Sequence, residues 1–196
     1  MTTPSDQLTP SVQWEGLEFR RLDAAEVAAD LDRWTRPYRE TYAAAAALPE
    51  HTDPPIEVRL AGHVERPGFE MVAAFADSAP DAEPLGYAYG YQLPPDTPWW
   101  EPLTPAPDAE LVREYEGRTV AICEMLVSST YRRGGLGEAL LVYFLMGRPE
   151  ERATALVALG NTIILERFTS RGWHHVGDMA PKPGWAPHAA LMLPLR

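Results

Sequence analysis

A chain of 196 residues with 45% hydrophobic and 23% charged positions is long enough for one domain with a substantial core, and too apolar for a disordered polymer. One cysteine, Cys123, excludes a disulfide scaffold, and a net charge of −11 argues against nucleic acid or an anionic membrane as partner. No apolar run approaches the roughly 18 residues of a membrane span. The opening MTTPSDQLTP lacks the basic and apolar segments of a secretion signal, so a cytoplasmic protein is expected.

Residues 1–15 are polar and proline-bearing and are expected to form a flexible terminus, leaving 16–196 as a single domain. Leu17, Phe19 and Leu22 mark a first strand. Asp23 and Glu26 then have capping-box spacing and open an alanine-rich helical stretch. Pro37 is expected to break that stretch into helices over 24–35 and 37–48. Ile56, Leu60 and Val64 recur every four residues in a further helix that stops at Pro67-Gly68.

Two strands follow, 69–76 and 85–93. In the second, Tyr87, Tyr89 and Tyr91 share one face and Gly86, Ala88 and Gly90 the other, flat enough for a helix to pack closely. The six prolines between 94 and 107, with Trp99 and Trp100, fit no regular element, so a surface loop is expected. TVAICEMLV, 119–127, reads as a central buried strand with one charge, Glu124. After it the order is helix 136–146, strand 153–159, helix 162–171 and closing strands 173–177 and 189–195. The fold class is therefore α/β (α+β), a mixed central sheet of about six to seven strands flanked by helices.

Chemistry concentrates in V-S-S-T-Y-R-R-G-G-L-G-E, 127–138. A buried strand there runs into glycine-rich backbone at the start of a helix. Helix N-termini present free N–H groups and a positive dipole end, and glycines let a ligand approach the backbone closely. With Arg132 and Arg133 beside those donors, the segment is suited to a pyrophosphate.

These residues resemble the acyl-CoA motif Arg/Gln-x-x-Gly-x-Gly/Ala of the GCN5-related N-acetyltransferase (GNAT) superfamily, which Arg132, Gly135 and Gly137 match in full. Downstream, Asn161, Phe168, Gly172 and Trp173 follow the family's Asn-x-x-Ala-x-x-x-Tyr-x-x-x-Gly-Phe helix. The segments GRPEERATALV and LPLR resemble an actinobacterial branch. The resemblance implies a GNAT fold and acetyl-CoA, or another acyl-CoA, as co-substrate. It further implies that the backbone of Met125, Leu126 and Val127 pairs with the pantetheine arm, with the Met125 N–H facing the thioester oxygen. Arg132, Arg133, Gly134, Gly135, Leu136, Gly137 and Glu138 would cradle the pyrophosphate, and Asn161 would reach the pantetheine amides. Phe168 falls in the same cofactor-binding helix. The alternative for Asn161 is a helix N-cap, and the two roles are compatible.

Acyl transfer to an amine needs a base for the ammonium proton and an acid for the leaving thiolate. The family's tyrosine acid is replaced here by Phe168, and positions that carry bases in relatives hold Ala121, Cys123 and Leu156. Glu124 is the candidate base, with a structural ion pair as its alternative. Strict alternation would put it on the face opposite Ala121 and Cys123, and a bulge would turn it toward the acceptor. Cys123 is read as a small buried hydrophobe, with an acyl-accepting nucleophile as the alternative.

Tyr89, Trp99 and Trp100 are the candidate acceptor contacts. The five histidines, at 51, 63, 174, 175 and 188, show no metal-ligand spacing, so no metal is expected. The function expected is an acyl-CoA-dependent N-acyltransferase acting on a small-molecule amine by direct transfer in a ternary complex, in a protein compatible with a homodimer. A non-catalytic acyl-CoA binder, or a fold repurposed in natural-product metabolism, shares the same residues.

Overall fold

The computed structural model describes Trp14 and residues 16–196. Apart from Trp14, the expected flexible terminus lies outside the described residues. Seven strands are hydrogen-bonded in the order β1-β2-β3-β4-β5-β7-β6: β1 Glu18–Leu22, β2 Glu70–Phe75, β3 Pro84–Gln92, β4 Thr119–Val127, β5 Arg152–Ala158, β6 His174–Met179 and β7 His188–Pro194. The helices are α1 Ala24–Ala28, α2 Leu31–Thr41, α3 Pro49–Thr52, α4 Ile56–Val64, α5 Ala109–Val112, α6 Leu136–Leu145 and α7 Thr162–Thr169. The mixed, helix-flanked sheet is the architecture expected.

The chain divides into two compact units. One comprises Gln92–Ile122 and Pro149–Arg196. In it β4 runs parallel to β5, with Thr119 opposite Arg152 and Ile122 opposite Ala155, while β7 is antiparallel to both β5 and β6. A polar knot is buried here. A single Glu114 oxygen accepts from Trp100 Nε1 at 2.8 Å, Thr119 Oγ1 at 2.9 Å and Arg152 Nη2 at 2.8 Å. The proline-rich loop thus spends Trp100 on structure.

The other unit runs from the N-terminal side to Tyr91 and includes Cys123–Arg148. Here β1, β2 and β3 form an antiparallel ladder. Val27 of α1, Trp34 of α2 and Leu60 of α4 bury against Met71, Phe75, Tyr87, Tyr89 and Leu126. The tyrosine face of β3 is therefore core, and its opposite face takes α6. A Cβ added at Gly86 would lie 3.1 Å from Leu140 Cδ1 and only 2.6 Å from the Leu126 carbonyl oxygen.

Pro37 does not break the helix. It sits inside α2, and the break falls earlier, where the Asp30 carboxylate caps the Arg33 N–H at 3.2 Å. A mid-helix proline removes one backbone bond and crowds the preceding turn. Burial of Trp34, Thr35 and Tyr38 on one face holds α2 together across that gap.

Strand β4 carries one residue more than its partner. The Leu93 N–H bonds the Thr119 carbonyl and the Ser128 N–H bonds the Leu85 carbonyl, so nine residues of advance on β4 match eight on β3. An extra residue of this kind is a β-bulge. In keeping with it, Cys123 and Leu126, three apart, both pack on the same core cluster, which unbroken alternation forbids.

Candidate active site

After β4 the chain makes a single 3-10 turn, Ser129–Tyr131, and enters the glycine segment. Arg133 has φ of 68°, the one positive value among described non-glycine residues, and Gly135 follows at 90°. A side-chain-bearing residue held there costs of order 1–3 kcal/mol, a strain characteristic of ligand sites. Gly135 is also the N-cap of α6 and provides no side-chain cap. The first-turn amides of a ten-residue helix thus open beside two exposed guanidiniums. The Arg132 Nε donates to the Val127 carbonyl at 3.2 Å, which ties the arginine to the end of β4.

The three glycines differ in what surrounds them. At Gly134 a Cβ would lie 2.9 Å from the tip of the Trp14 indole, which would have to shift; at Gly135 a φ of 90° disfavours any side chain. At Gly137 a Cβ would meet Val127 and Met125 only at ordinary contact distance, 3.5 Å or more. The first-turn amides of α6 with Arg132 and Arg133 are the groups that could hold a diphosphate.

Just upstream on β4, Glu124 has its carboxyl pushed up to about 7. Burial is the main cause, opposed by the Arg59 guanidinium and by the Met125 N–H, which donates to the carboxylate. Arg59, on α4, also donates Nη2 to the Tyr38 hydroxyl at 2.6 Å. That hydroxyl lies 2.5 Å from His51 Nδ1. Burial followed by the Glu124 charge pushes the Tyr38 phenol up to about 12, and the Glu124 charge followed by burial raises Tyr42 further. His51 is lowered, by burial and then by Arg59. A half-buried carboxylate thus sits among phenols and one arginine, in the protonation range of a general base near neutrality.

The expected site residues fall into three groups. Glu124, Met125, Val127 and the run from Arg132 to Glu138 belong to one unit and one stretch of backbone. Leu126 and Leu136 direct their side chains into the core, so only their peptide groups are available. Asn161 and Phe168 belong to the other unit. Asn161 caps α7, accepting from the Ile164 N–H at 3.4 Å, and Phe168 is buried with its ring 4.9 Å from that of Trp173. Tyr89 and Trp100 are buried, Tyr89 in the core and Trp100 on Glu114, while Trp99 is half-buried.

Arg59, Tyr38, Tyr42 and His51 were not singled out by the sequence reading. Tyr38 and Tyr42 stand at i, i+4, so they share a helix face and signal an aromatic patch. Arg59 left no signal, because it precedes Leu60 in the apolar stripe of α4 and reads there as a flanking surface residue.

No family model matches the sequence, and no curated protein matches it. Solved structures do match, at low identity. A GNAT-family protein from Desulfovibrio desulfuricans superimposes with a TM-score of 0.60 at 18% identity, covering 92% of this chain and 99% of that one. An aminoglycoside 6'-acetyltransferase type Ii gives 0.59 at 15%, covering 91% and 97%. Arabidopsis thaliana NAA60 in complex with acetyl-CoA gives 0.58 at 16%, covering 90% and 97%. The fold is that of the GNAT acetyltransferases.

Proposed function

We propose that the protein is an acyl-CoA-dependent N-acyltransferase, using acetyl-CoA or another acyl-CoA and acting on a small-molecule amine in a ternary complex. The observation that carries this reading is Glu124, a carboxylate held near neutral pKa by burial and Arg59, on the strand that leads into the uncapped start of α6. The GNAT fold and the acetyl-CoA bound to a structural relative support it. The actinobacterial placement rests on the sequence segments alone.

Acyl-CoA supplies an activated acyl group as a thioester. Arg132, Arg133 and the backbone from Gly134 to Glu138 hold its diphosphate, and the peptide groups of Met125–Val127 address its pantetheine arm. Glu124 takes the ammonium proton of the acceptor. From a typical alkylammonium to an ordinary carboxylate this transfer costs about 8 kcal/mol; to one near 7 it costs about 4–5 kcal/mol. The proton that neutralises Glu124 weakens its hold on the Met125 N–H. That donor then becomes free to stabilise negative charge on the acyl oxygen. Phe168 offers no proton to the leaving thiolate, whereas protonated Glu124 is acidic enough to supply one.

Phe168 also favours a second reading, a non-catalytic acyl-CoA binder on the same fold. Calorimetric titration with acetyl-CoA, followed by an assay for thiol release across amines, separates the two. Micromolar binding that is lost in Arg132→Ala combined with Gly135→Glu, together with thiol release, is the expected result. Binding without turnover of any amine would favour the binder.

A further inference from the structure

A cavity of about 380 Å³ opens among α2, α3 and the start of α4, all within one unit of the chain. Its aromatic wall is Tyr38, Tyr42 and His51. The Tyr42 and His51 rings stack at 4.4 Å, and Tyr38 lies tilted against Tyr42 at 4.6 Å. Alanine, proline and isoleucine side chains make up the apolar lining, with Ala46 exposed among them.

The charges at this wall are already engaged. Arg39 bonds both Glu57 and Asp32. Arg59 is turned to the Tyr38 phenol, with Nη2 on its oxygen at 2.6 Å and the guanidinium 5.2 Å from the ring centre. An ammonium entering here would meet two guanidiniums, and the one lining carboxylate, Glu57, is already held by Arg39. A carboxylate would have to displace Glu57 or Asp32 from Arg39. Either exchange breaks a charge-assisted hydrogen bond, so the wall selects against ions of both signs.

Polar selectivity comes from the hydrogen-bonded rings instead. The Tyr38 hydroxyl accepts from Arg59, and among the described residues His51 Nδ1, at 2.5 Å, is the acceptor within reach of its proton. The phenol therefore donates to Nδ1, which fixes the neutral imidazole with its own proton on Nε2. That N–H and the Tyr42 hydroxyl have no hydrogen-bond partner among the described residues, and both belong to the cavity wall. An apolar lining with a few such polar groups is the usual composition of a small-molecule site. The volume lies near the lower end of such sites, about 300–1,000 Å³, which suits a body of one or two rings.

We infer that this cavity binds a flat, uncharged aromatic molecule bearing a hydrogen-bond acceptor such as an amide or ketone carbonyl, its ring against Tyr38, Tyr42 and His51 and its acceptor on the His51 Nε2–H. Tilted and offset ring pairs supply contact beyond the area they bury. The site uses no residue of the glycine turn and does not use Glu124, so it stands or falls apart from the acyltransferase reading.

The test uses the intact protein without acyl-CoA, with benzamide as probe and benzylamine and benzoate as charged controls on the same ring. Saturation-transfer NMR should show the benzamide ring protons in contact with the protein, with a Kd at least about fivefold below that of either control. Ala46→Trp, which fills the cavity from an exposed position, should abolish the contact. His51→Phe keeps a ring in the wall and removes the N–H; it should weaken benzamide by about fivefold, the effect of losing one neutral hydrogen bond. No contact with benzamide, contact that persists in Ala46→Trp, tighter binding of benzylamine or benzoate, or full benzamide affinity in His51→Phe each overturns the inference.

Discussion

Arg59 stands between two groups of opposite demand: its guanidinium donates to the Tyr38 hydroxyl at 2.6 Å and draws the Glu124 carboxyl down against the effect of burial. One cation on α4 thereby sets both the ionisation of the candidate base and the position of an aromatic wall.

Replacing Arg59 by Gln keeps a donor near Tyr38 but removes the charge. The Glu124 carboxyl then rises further, so the acid limb of the pH–rate profile should move up by about one pH unit, the effect of a single opposed charge. Acetyl-CoA affinity should not change. A profile that keeps its wild-type midpoint would remove Arg59 from control of the base.

Glu124→Gln should lower thiol release by about 10²–10⁴-fold with acetyl-CoA binding intact, the usual effect of losing a general base. In the unmodified protein, activity should fall as pH drops through about 7, where Glu124 gains its proton. Equal turnover in the Gln variant would make Glu124 structural.

The same substitution should stabilise the fold. A carboxyl raised in the folded state favours folding below its unfolded pKa, and that contribution disappears as pH rises through the folded value near 7. Glu124→Gln should therefore raise Tm at pH 8, by about 1–3 kcal/mol in stability, and make little difference at pH 4. Thermal melts at the two pH values read this directly.

In the other unit, Glu114→Ala leaves Arg152 buried without its carboxylate and frees the Trp100 and Thr119 donors. Breaking a buried pair on one side costs about 3–5 kcal/mol. Denaturant unfolding should show a loss of that size, whereas Arg36→Ala, which breaks an exposed pair with Glu83, should stay within about 1 kcal/mol.

Much of the architecture was legible in the sequence. The apolar run 119–127 is β4 residue for residue, and the glycine turn falls where the start of α6 requires it. Pro37 misled because the rule for proline is local, whereas the burial of Trp34 and Tyr38 that sustains α2 comes from tertiary packing. Tyr89 and Trp100 were read as acceptor contacts from their residue type. Their burial depends on partners distant in sequence, Phe69 for one and Glu114 for the other. The Arg59–Tyr38–His51 chain joins three separate helices, and no single window of sequence holds that information.

The glycine at position 86 has a consequence for how the strands find each other. Its missing side chain leaves room for the Leu126 carbonyl at a distance no other residue type tolerates. A slip of one residue along β3 would bring Leu85 or Tyr87 to that place, and a slip of two would bring Pro84 or Ala88; each has a Cβ that collides. Gly86 therefore acts as a key that rejects the neighbouring alignments of β3 on the bulged strand, and the alignment it admits fixes where the extra residue of β4 falls relative to Glu124. The position of the candidate base is thus set in part by an atom that is absent.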